Sequence, residues 1–107
     1  MGKALEGIRV LDFTTMAAGP TAAAMLADYG AEVIKIERPG RGEDGRKFPP
    51  MVDGESLTYC WFNRGKKSLA VDMKDPEGLE LVKKLIPTAP VILENFRPGT
   101  MKKFGLD

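Results

Sequence analysis

The chain has 107 residues, of which 43% are hydrophobic and 29% are charged. This is ordinary globular composition and excludes a disordered or fibrous chain, while the length predicts at most one domain or part of one. Sixteen basic residues against fifteen acidic ones give a net charge of +1, so the whole-chain field favours neither nucleic acid nor an anionic membrane. We therefore predict no nucleic-acid partner and no membrane partner, and any anion site must be local.

The chain has one cysteine, Cys60, and no histidine. Neither an internal disulfide nor a Cys/His metal cluster can form from these residues, and we predict no metal. Residues 1–13 lack the apolar stretch of a signal peptide. The longest run of small apolar residues, 17–27, falls short of the ~20 residues that span a bilayer. These features predict a soluble, cytoplasmic protein.

The first part of the chain predicts a βαβ unit. Residues 8–13 and 31–37 are rich in β-branched and apolar side chains, as strands are. Between them, Pro20 suits the first helical position and Gly30 the position just past a helix end, where φ is often positive. We predict a helix over 20–29 between two parallel strands joined by a right-handed crossover.

The middle of the chain has less pattern. Residues 38–56 are dense in Gly, Pro and charge, and the span exceeds the ~12–15 residues that compact domains usually leave without secondary structure. We expect a functional loop there, or a region ordered by something outside this chain. Residues 57–63 are aromatic and apolar without clear periodicity, which fits a short buried helix or a strand.

A second βαβ unit follows. Residues 68–72 are strand-like, Asp75 suits a helix N-cap and Pro76 the first helical position. Apolar residues then repeat at i, i+3, i+6 and i+7 from Leu79, which predicts an amphipathic helix packed on a sheet. Residues 91–94 read as the next strand. The fold class is therefore α/β, a Rossmann-like parallel sheet with flanking helices.

In an open parallel sheet, ligands bind beyond the carboxyl ends of the strands. The segments after the four predicted strands are residues 14–19, 38–47, 72–74 and 95–103. The first of them joins small residues to a helix N-terminus, where backbone amides can approach a phosphate closely. Close packing of strand against helix explains the same small residues equally well.

The cations near these strand ends have two interpretations. Arg38 directly follows the second strand, where Rossmann-type proteins use an Arg to accommodate an extra phosphate, although an Arg at a loop start is more often solvated surface. The neighbouring Arg41, Arg46 and Lys47 are partly offset by acids, and we expect them to be solvated.

The last two segments set cations beside apolar or aromatic groups. Lys74 follows Met73, and Phe96 lies close in sequence to Arg97 and to the lysines at 102 and 103. Each residue also has a simpler explanation: Lys74 as a charge beside a helix, Phe96 as part of the core, and the lysines at 102 and 103 as solvated surface. An adenine ring with phosphates would match this mixture of stacking surface and charge, and the position of these residues at one shared edge of the sheet favours binding.

Several chemistries are excluded or disfavoured. Without histidine there is no hydrolase triad, and Cys60 among aromatic residues predicts a buried, inert thiol. Aspartates such as Asp12 are explained by capping and surface roles. The single Gly of residues 14–20 disfavours the G-x-G-x-x-G dinucleotide fingerprint. We find no catalytic nucleophile in the chain.

The sequence resembles the opening of the family III CoA-transferases. Three blocks carry the resemblance in the family's order and spacing: LEGIRVLDFTTMAAGPTAAAMLADYGAEVIKIERPGRGE, NRGKKSLAVDMKDPEG and ENFRPGTMKKFGL. This group, also called CaiB/BaiF, includes formyl-CoA transferases, carnitine CoA-transferases and related acyl-CoA racemases. The resemblance implies that residues 1–107 are the N-terminal part of the CoA-binding Rossmann-like domain of a larger fold.

The resemblance also implies which residues contact the substrate. CoA or acyl-CoA is the expected ligand, again without a metal. The implied contacts are Ala17, Ala18, Arg38, Val71, Asp72, Met73, Lys74, Asn95, Phe96, Arg97 and Lys103.

The implied reaction moves CoA from an acyl-CoA to a carboxylic acid through an aspartyl anhydride and an enzyme–CoA thioester. The catalytic aspartate of the family lies beyond residue 107, so the chain alone is expected to be inactive. The complete protein is expected to form an interlocked homodimer. A 2-methylacyl-CoA racemase of the same superfamily and a non-catalytic CoA-binding or nucleotide-binding module are the alternatives.

Three positions depart from the family pattern. Ala17 replaces the Gln that helps hold the acyl group in formyl-CoA transferases, and Thr15 replaces a frequent His, which disfavours a formyl or oxalate substrate. Pro90 replaces an Asp before the fourth strand, where we expect it to affect strand entry rather than chemistry.

Overall fold

The computed structural model describes residues 2–107. Its main sheet contains four parallel strands, β1 (Arg9–Asp12), β2 (Glu32–Glu37), β5 (Lys67–Ala70) and β6 (Val91–Leu93). Their order across the sheet is β5-β2-β1-β6, with Leu11 level with Ile34 on one side and with Ile92 on the other. The order reverses between β1 and β6, the arrangement of a doubly wound α/β sheet. The predicted fold class is confirmed.

Helices cover both faces of the sheet. Helix α1 (Ala18–Asp28) connects β1 to β2, and α3 (Pro76–Leu85) connects β5 to β6. Alternation along the strands divides the core: Val10 and Val33 pack with Ala23 of α1, whereas Leu11 and Phe13 pack with Val82 of α3. Because successive strand side chains point to opposite faces, one sheet supports two separate apolar layers.

The predicted helix ends are close to the observed ones. Asp75 caps α3 by accepting a hydrogen bond from the backbone N–H of Glu77 at 2.9 Å. Gly30 follows the end of α1 with φ of 104°, as predicted. Helix α1 begins at Ala18, two residues before the predicted start, so Pro20 is its third residue. Proline is tolerated there because first-turn N–H groups need no partner within the helix.

The prediction of a structureless segment over 38–56 was wrong in part. A 3₁₀ turn spans Asp44–Lys47, and strands β3 (Met51–Val52) and β4 (Glu55–Ser56) form an antiparallel hairpin. Asp53 and Gly54 at its tip have φ of 51° and 79°. The Asp-Gly pair is a strong hairpin signal in the sequence, and the prediction of a loop did not take it into account.

Residues 57–63 form mainly a helix, α2 (Leu57–Phe62), with Ser56 as its N-cap. The remaining helix, α4, spans Thr100–Lys103. In α2 only Tyr59 is buried, so the expectation of a buried segment fails for the rest of the helix. Cys60 is exposed, and the prediction of a buried thiol was wrong. Nowhere in residues 2–107 does a helix combine the length and apolar character needed to cross a bilayer.

Candidate functional site

A cleft of about 290 Å³ opens at the carboxyl edge of the parallel sheet. Segments that follow all four strands contribute to it, as expected for an open sheet near its switch point. Its volume is at the lower end of the range of small-molecule sites. The cleft is lined by Phe13, Thr15, Ile36, Glu37, Arg38, Gly42, Glu43, Asp44, Val71, Asp72, Met73, Lys74, Phe96, Thr100 and Phe104.

The floor of the cleft is apolar. Phe13 and Val71 are buried in the core layer beneath α3, and Phe96 packs half-buried against the same layer. Phe104 adds a second half-buried aromatic ring from the end of α4. A floor built this way offers a flat ring both stacking and hydrophobic contact.

The rim of the cleft carries exposed charges. Arg38 Nε donates a hydrogen bond to the carbonyl oxygen of Gly42 at 2.9 Å, and another guanidinium nitrogen of Arg38 contacts the carboxylate of Asp44. Lys74 is exposed, and within residues 2–107 its ammonium group has no carboxylate partner. Both cations can therefore reach an anion in the cleft without leaving a buried position.

Buried charges form the opposite face of the same edge, and two of them, Glu37 and Glu43, also contribute to the lining of the cleft. Lys35, 1% exposed, donates to Glu43 Oε1 at 3.0 Å, to Asn63 Oδ1 at 2.9 Å and to the carbonyl oxygen of Thr14 at 3.2 Å. An ammonium group has three donors, and all three are used. Burying this charge is possible only with such partners.

Glu37 is the second charge of this buried face. Its carboxylate accepts two hydrogen bonds from Arg46, at 2.8 and 2.6 Å, and others from Tyr59 Oη at 3.2 Å and Ser68 Oγ at 2.9 Å. The Arg46 guanidinium is the main cause that lowers the pKa of Glu37 to about 2. Burial is the main cause that raises the pKa of Tyr59. The expectation that Arg46 is simply solvated was wrong.

A third buried pair links β1 to the turn before β5. Lys66 donates to Asp12 Oδ2 at 2.7 Å, to Asn63 Oδ1 at 2.7 Å and to the carbonyl oxygen of Pro20 at 3.0 Å. Burial lowers the pKa of Lys66, although its bond to Asp12 opposes the shift. Asp12 is fully buried, so the surface role expected for it was wrong, although its Oδ1 does accept a local hydrogen bond from the backbone N–H of Thr14 at 2.8 Å.

Six of the residues implied by the resemblance line the cleft, and five do not. The six are Arg38, Val71, Asp72, Met73, Lys74 and Phe96. Asn95 instead clamps the segment after β1, because its side chain accepts from the N–H of Thr15 at 2.9 Å and donates to the carbonyl of Thr15 at 2.8 Å. Ala17 and Ala18 begin α1, while Arg97 and Lys103 are exposed close in sequence to Phe96 and Phe104.

Sequence reasoning missed several residues of the cleft and its support. A central strand of a parallel sheet is normally a continuous apolar run, yet β2 contains Lys35 and Glu37. That contradiction was the available signal for a buried polar cluster. Gly78 was also overlooked: a Cβ there would lie 2.1 Å from the carbonyl oxygen of Asp72, so glycine lets α3 approach the cleft wall. Thr100 and Phe104 carried no comparable signal.

Known proteins place this architecture in a family. The sequence profile described as CoA-transferase family III matches residues 5–107. Succinyl-CoA:glutarate CoA-transferase from Mus musculus is 50% identical over 105 residues, which cover 97% of this chain and 24% of that protein. Formyl-CoA:oxalate CoA-transferase from Rhodopseudomonas palustris (strain BisA53) is 43% identical over 106 residues, covering 98% and 25%.

A solved structure agrees with this assignment. The crystal structure of a CAIB/BAIF family protein from Brucella suis matches with a TM-score of 0.91 at 38% identity, over 100% of this chain and 29% of that one. The doubly wound parallel sheet defines a Rossmann-like α/β protein. The chain belongs to CoA-transferase family III. It spans about a quarter of the length of the curated relatives it matches.

Proposed function

We propose that residues 1–107 form the N-terminal, CoA-binding part of a CoA-transferase that moves CoA between an acyl-CoA and a carboxylic acid. The observation that carries the proposal is the cleft at the sheet edge. Its aromatic and apolar floor lies beside two exposed cations, Arg38 and Lys74. An adenine ring with charged phosphates is complementary to that combination.

The roles of the residues in and beside the cleft follow from their chemistry. The half-buried rings of Phe96 and Phe104 would contact the adenine, and Arg38 and Lys74 would contact phosphates. Arg97 and Lys103, exposed on the segment that also supplies Phe96, would extend the positive charge along the ligand. The short side chains at the start of α1 would let the backbone approach it closely.

The substrates we propose are dicarboxylic acids and their mono-CoA thioesters. Support comes from the relative at 50% identity, whose name specifies succinyl-CoA and glutarate. Ala17 and Thr15 also replace the Gln and His expected from the resemblance to formyl-CoA transferases, which disfavours the smallest acids.

The proposed chemistry requires an aspartate beyond residue 107. Its carboxylate attacks the thioester carbonyl, the C–S bond breaks, and CoA leaves as thiolate from a mixed anhydride. The thiolate then attacks the aspartyl carbonyl, releasing the free acid and leaving an enzyme–CoA thioester. The acceptor acid reverses both steps, so no oxidant or reductant is needed. We propose that the complete enzyme is a cytoplasmic, interlocked homodimer and that this segment alone is inactive.

The binding role is tested with Arg38→Ala in the complete enzyme. Loss of a charged hydrogen bond from an exposed cation should raise the dissociation constant of CoA about tenfold. Arg41→Ala is the matched control, since Arg41 is exposed in the same loop but does not line the cleft. Isothermal titration calorimetry measures both variants. An unchanged dissociation constant for Arg38→Ala would contradict the assignment of this cleft to CoA.

The reaction class is tested separately on the unmodified complete enzyme. With succinyl-CoA and glutarate as substrates, we expect glutaryl-CoA and free succinate to form in equal amounts. Chromatography measures both products. A racemase would instead exchange the α-proton of a 2-methylacyl-CoA with deuterated solvent and form no new thioester. That result would reject the transferase proposal and leave the CoA site intact.

A further inference from the structure

The Gly42–Glu43 peptide group joins the two faces of the sheet edge. Its carbonyl oxygen, on Gly42, accepts the hydrogen bond from Arg38 Nε at 2.9 Å. Its N–H, on Glu43, donates to Glu37 Oε2, also at 2.9 Å. Because a peptide group is planar and rigid, fixing the N–H on the buried side also fixes the carbonyl that holds Arg38 on the cleft side.

Glu37 is itself firmly held. It is 5% exposed, and its carboxylate receives the paired hydrogen bonds of Arg46 together with those of Tyr59 and Ser68. The Arg46 guanidinium also lies over the ring of Tyr59, 4.3 Å from its centroid. A two-pronged Arg–carboxylate contact fixes both position and orientation.

Gly42 packs directly against the Glu37–Arg46 pair. The residue has φ of 70°, and a Cβ there would lie 2.7 Å from Glu37 Oε2 and 2.8 Å from Arg46 Cδ. Glycine therefore allows both the backbone conformation and direct contact between the loop and the Glu37–Arg46 pair. Glu43 adds a second anchor, because its carboxylate is held by buried Lys35.

From this arrangement we infer that Glu37 is a positioning residue that orients Arg38 for an anionic ligand through the Gly42–Glu43 peptide group. The inference rests on the proposed role of the cleft in CoA binding. A guanidinium on a flexible side chain would lose rotational freedom when it meets a phosphate, and prior orientation reduces that loss. Glu37 would thus affect ligand affinity without touching the phosphate.

The test is Glu37→Gln in the complete enzyme, measured by steady-state kinetics. The amide replaces one acceptor oxygen with a donor and removes the charge opposite Arg46, so either the peptide N–H loses its acceptor or the paired contact that fixes that acceptor is broken. We expect the KM for acyl-CoA to rise about fivefold to tenfold with kcat within twofold of the wild type. The matched control is Glu32→Gln, at the other end of β2, whose carboxylate pairs with Arg9 and Lys67 outside the cleft; its KM should not change.

A double-mutant cycle separates positioning from general structural damage. In an Arg38→Ala background, Glu37→Gln should cause no further rise in KM, because its effect acts through the missing guanidinium. An equal rise in both backgrounds would overturn the inference. An unchanged KM for Glu37→Gln, together with weaker binding by Arg38→Ala, would also overturn the inference. The proposed function would not be affected by that result. No effect of Arg38→Ala would reject the CoA assignment and the inference together.

If Glu37→Gln fails to fold, Arg46→Lys replaces it in the same cycle. Lysine keeps the charge but cannot make the paired contact with the carboxylate. The same rise in KM, absent in the Arg38→Ala background, is the expected result, and an unchanged KM in a folded Arg46→Lys enzyme overturns the inference.

Discussion

The two faces of the sheet edge use charge in opposite ways. On the cleft face, Arg38 and Lys74 are exposed over an apolar floor. On the other face, Lys35 and Glu37 are buried among hydrogen-bond partners. Exposed cations can exchange water for a ligand at little cost, whereas a buried charge is stable only while every partner stays in place. The exposed charges are therefore suited to binding a ligand, and the buried charges are suited to holding the binding loop in place.

The largest expected effect is on the buried face. Lys35→Met leaves the carboxylate of Glu43 buried without its cation, and removing one partner of a buried pair typically costs about 3–5 kcal/mol of unfolding free energy. The matched control on the neighbouring strand is Lys67→Met, which breaks an exposed pair with Glu32. That change should stay within about 0.5 kcal/mol. Urea unfolding of the complete enzyme measures both.

A second variant identifies the cause. If the unpaired carboxylate dominates, adding Glu43→Gln to Lys35→Met should restore at least half of the lost free energy, because a neutral amide is less costly to bury than a charge. No recovery would show that the buried face is stabilised by the shape of its packing rather than by its pairing of charges.

A somewhat smaller effect is expected from acid. The pKa of Glu37 is lowered from 4.5 to about 2 in the folded chain, so the unfolded chain takes up a proton at a higher pH than the folded one does. The stabilisation is therefore complete above about pH 5 and lost as the pH falls toward 2; the shift corresponds to about 3 kcal/mol. Urea unfolding of the enzyme and of Glu37→Gln between pH 3 and 7 measures the larger part of this loss, about 2 kcal/mol.

The informative quantity is the difference in unfolding free energy between the wild type and Glu37→Gln at each pH. Below pH 5 the wild type should lose stability more steeply than Glu37→Gln, which has no carboxylate to protonate at this position. Parallel curves would mean that Glu37 gains little from its partners, and the contrast between the two faces would then depend on Lys35 and Glu43 alone.

The smallest expected effect is on the cleft face. Asp44 contacts Arg38 at the rim and places a negative charge beside it. Asp44→Asn should tighten CoA binding about twofold to fivefold, because exposed pairs contribute only ~0.2–1 kcal/mol. Asp53→Asn removes the same charge from the exposed hairpin turn and should leave the dissociation constant unchanged. Weaker binding by Asp44→Asn in calorimetry would indicate that Asp44 helps to orient Arg38 rather than competing with the ligand for it.

The sequence predicted the fold well because its signals are local. Runs of β-branched and apolar residues predict the strands, while Asp75, Pro76 and Gly30 mark helix ends through backbone hydrogen bonding and φ preference. The edge of the sheet that holds the candidate site followed from the parallel arrangement. The hairpin at Asp53 is locally encoded too, by the Asp-Gly pair at its turn.

The contacts between distant segments could not be predicted in this way. Lys66 meets Asp12 across 54 residues, and Asn95 meets Thr15 across 80. Nothing in either neighbourhood specifies the partner, because long-range pairs depend on how the strands are ordered and how the loops cross their ends. For the same reason, Asp12 and Arg46 were expected to be solvated, whereas Asp12 is buried against Lys66 and Arg46, partly exposed, is paired with buried Glu37.

By itself the sequence determined the α/β class, the edge at which ligands should bind, and the family to which the chain belongs. Only the tertiary structure decided which charges face the cleft and which are buried beneath it. Glu37 ends β2 and Arg38 follows it, and although the two are adjacent in sequence, Glu37 is buried among partners while Arg38 is exposed at the rim of the cleft. Whether a charged side chain can bind a ligand or instead stabilises the binding loop depends on the side of the sheet on which it lies and on the partners that folding brings next to it.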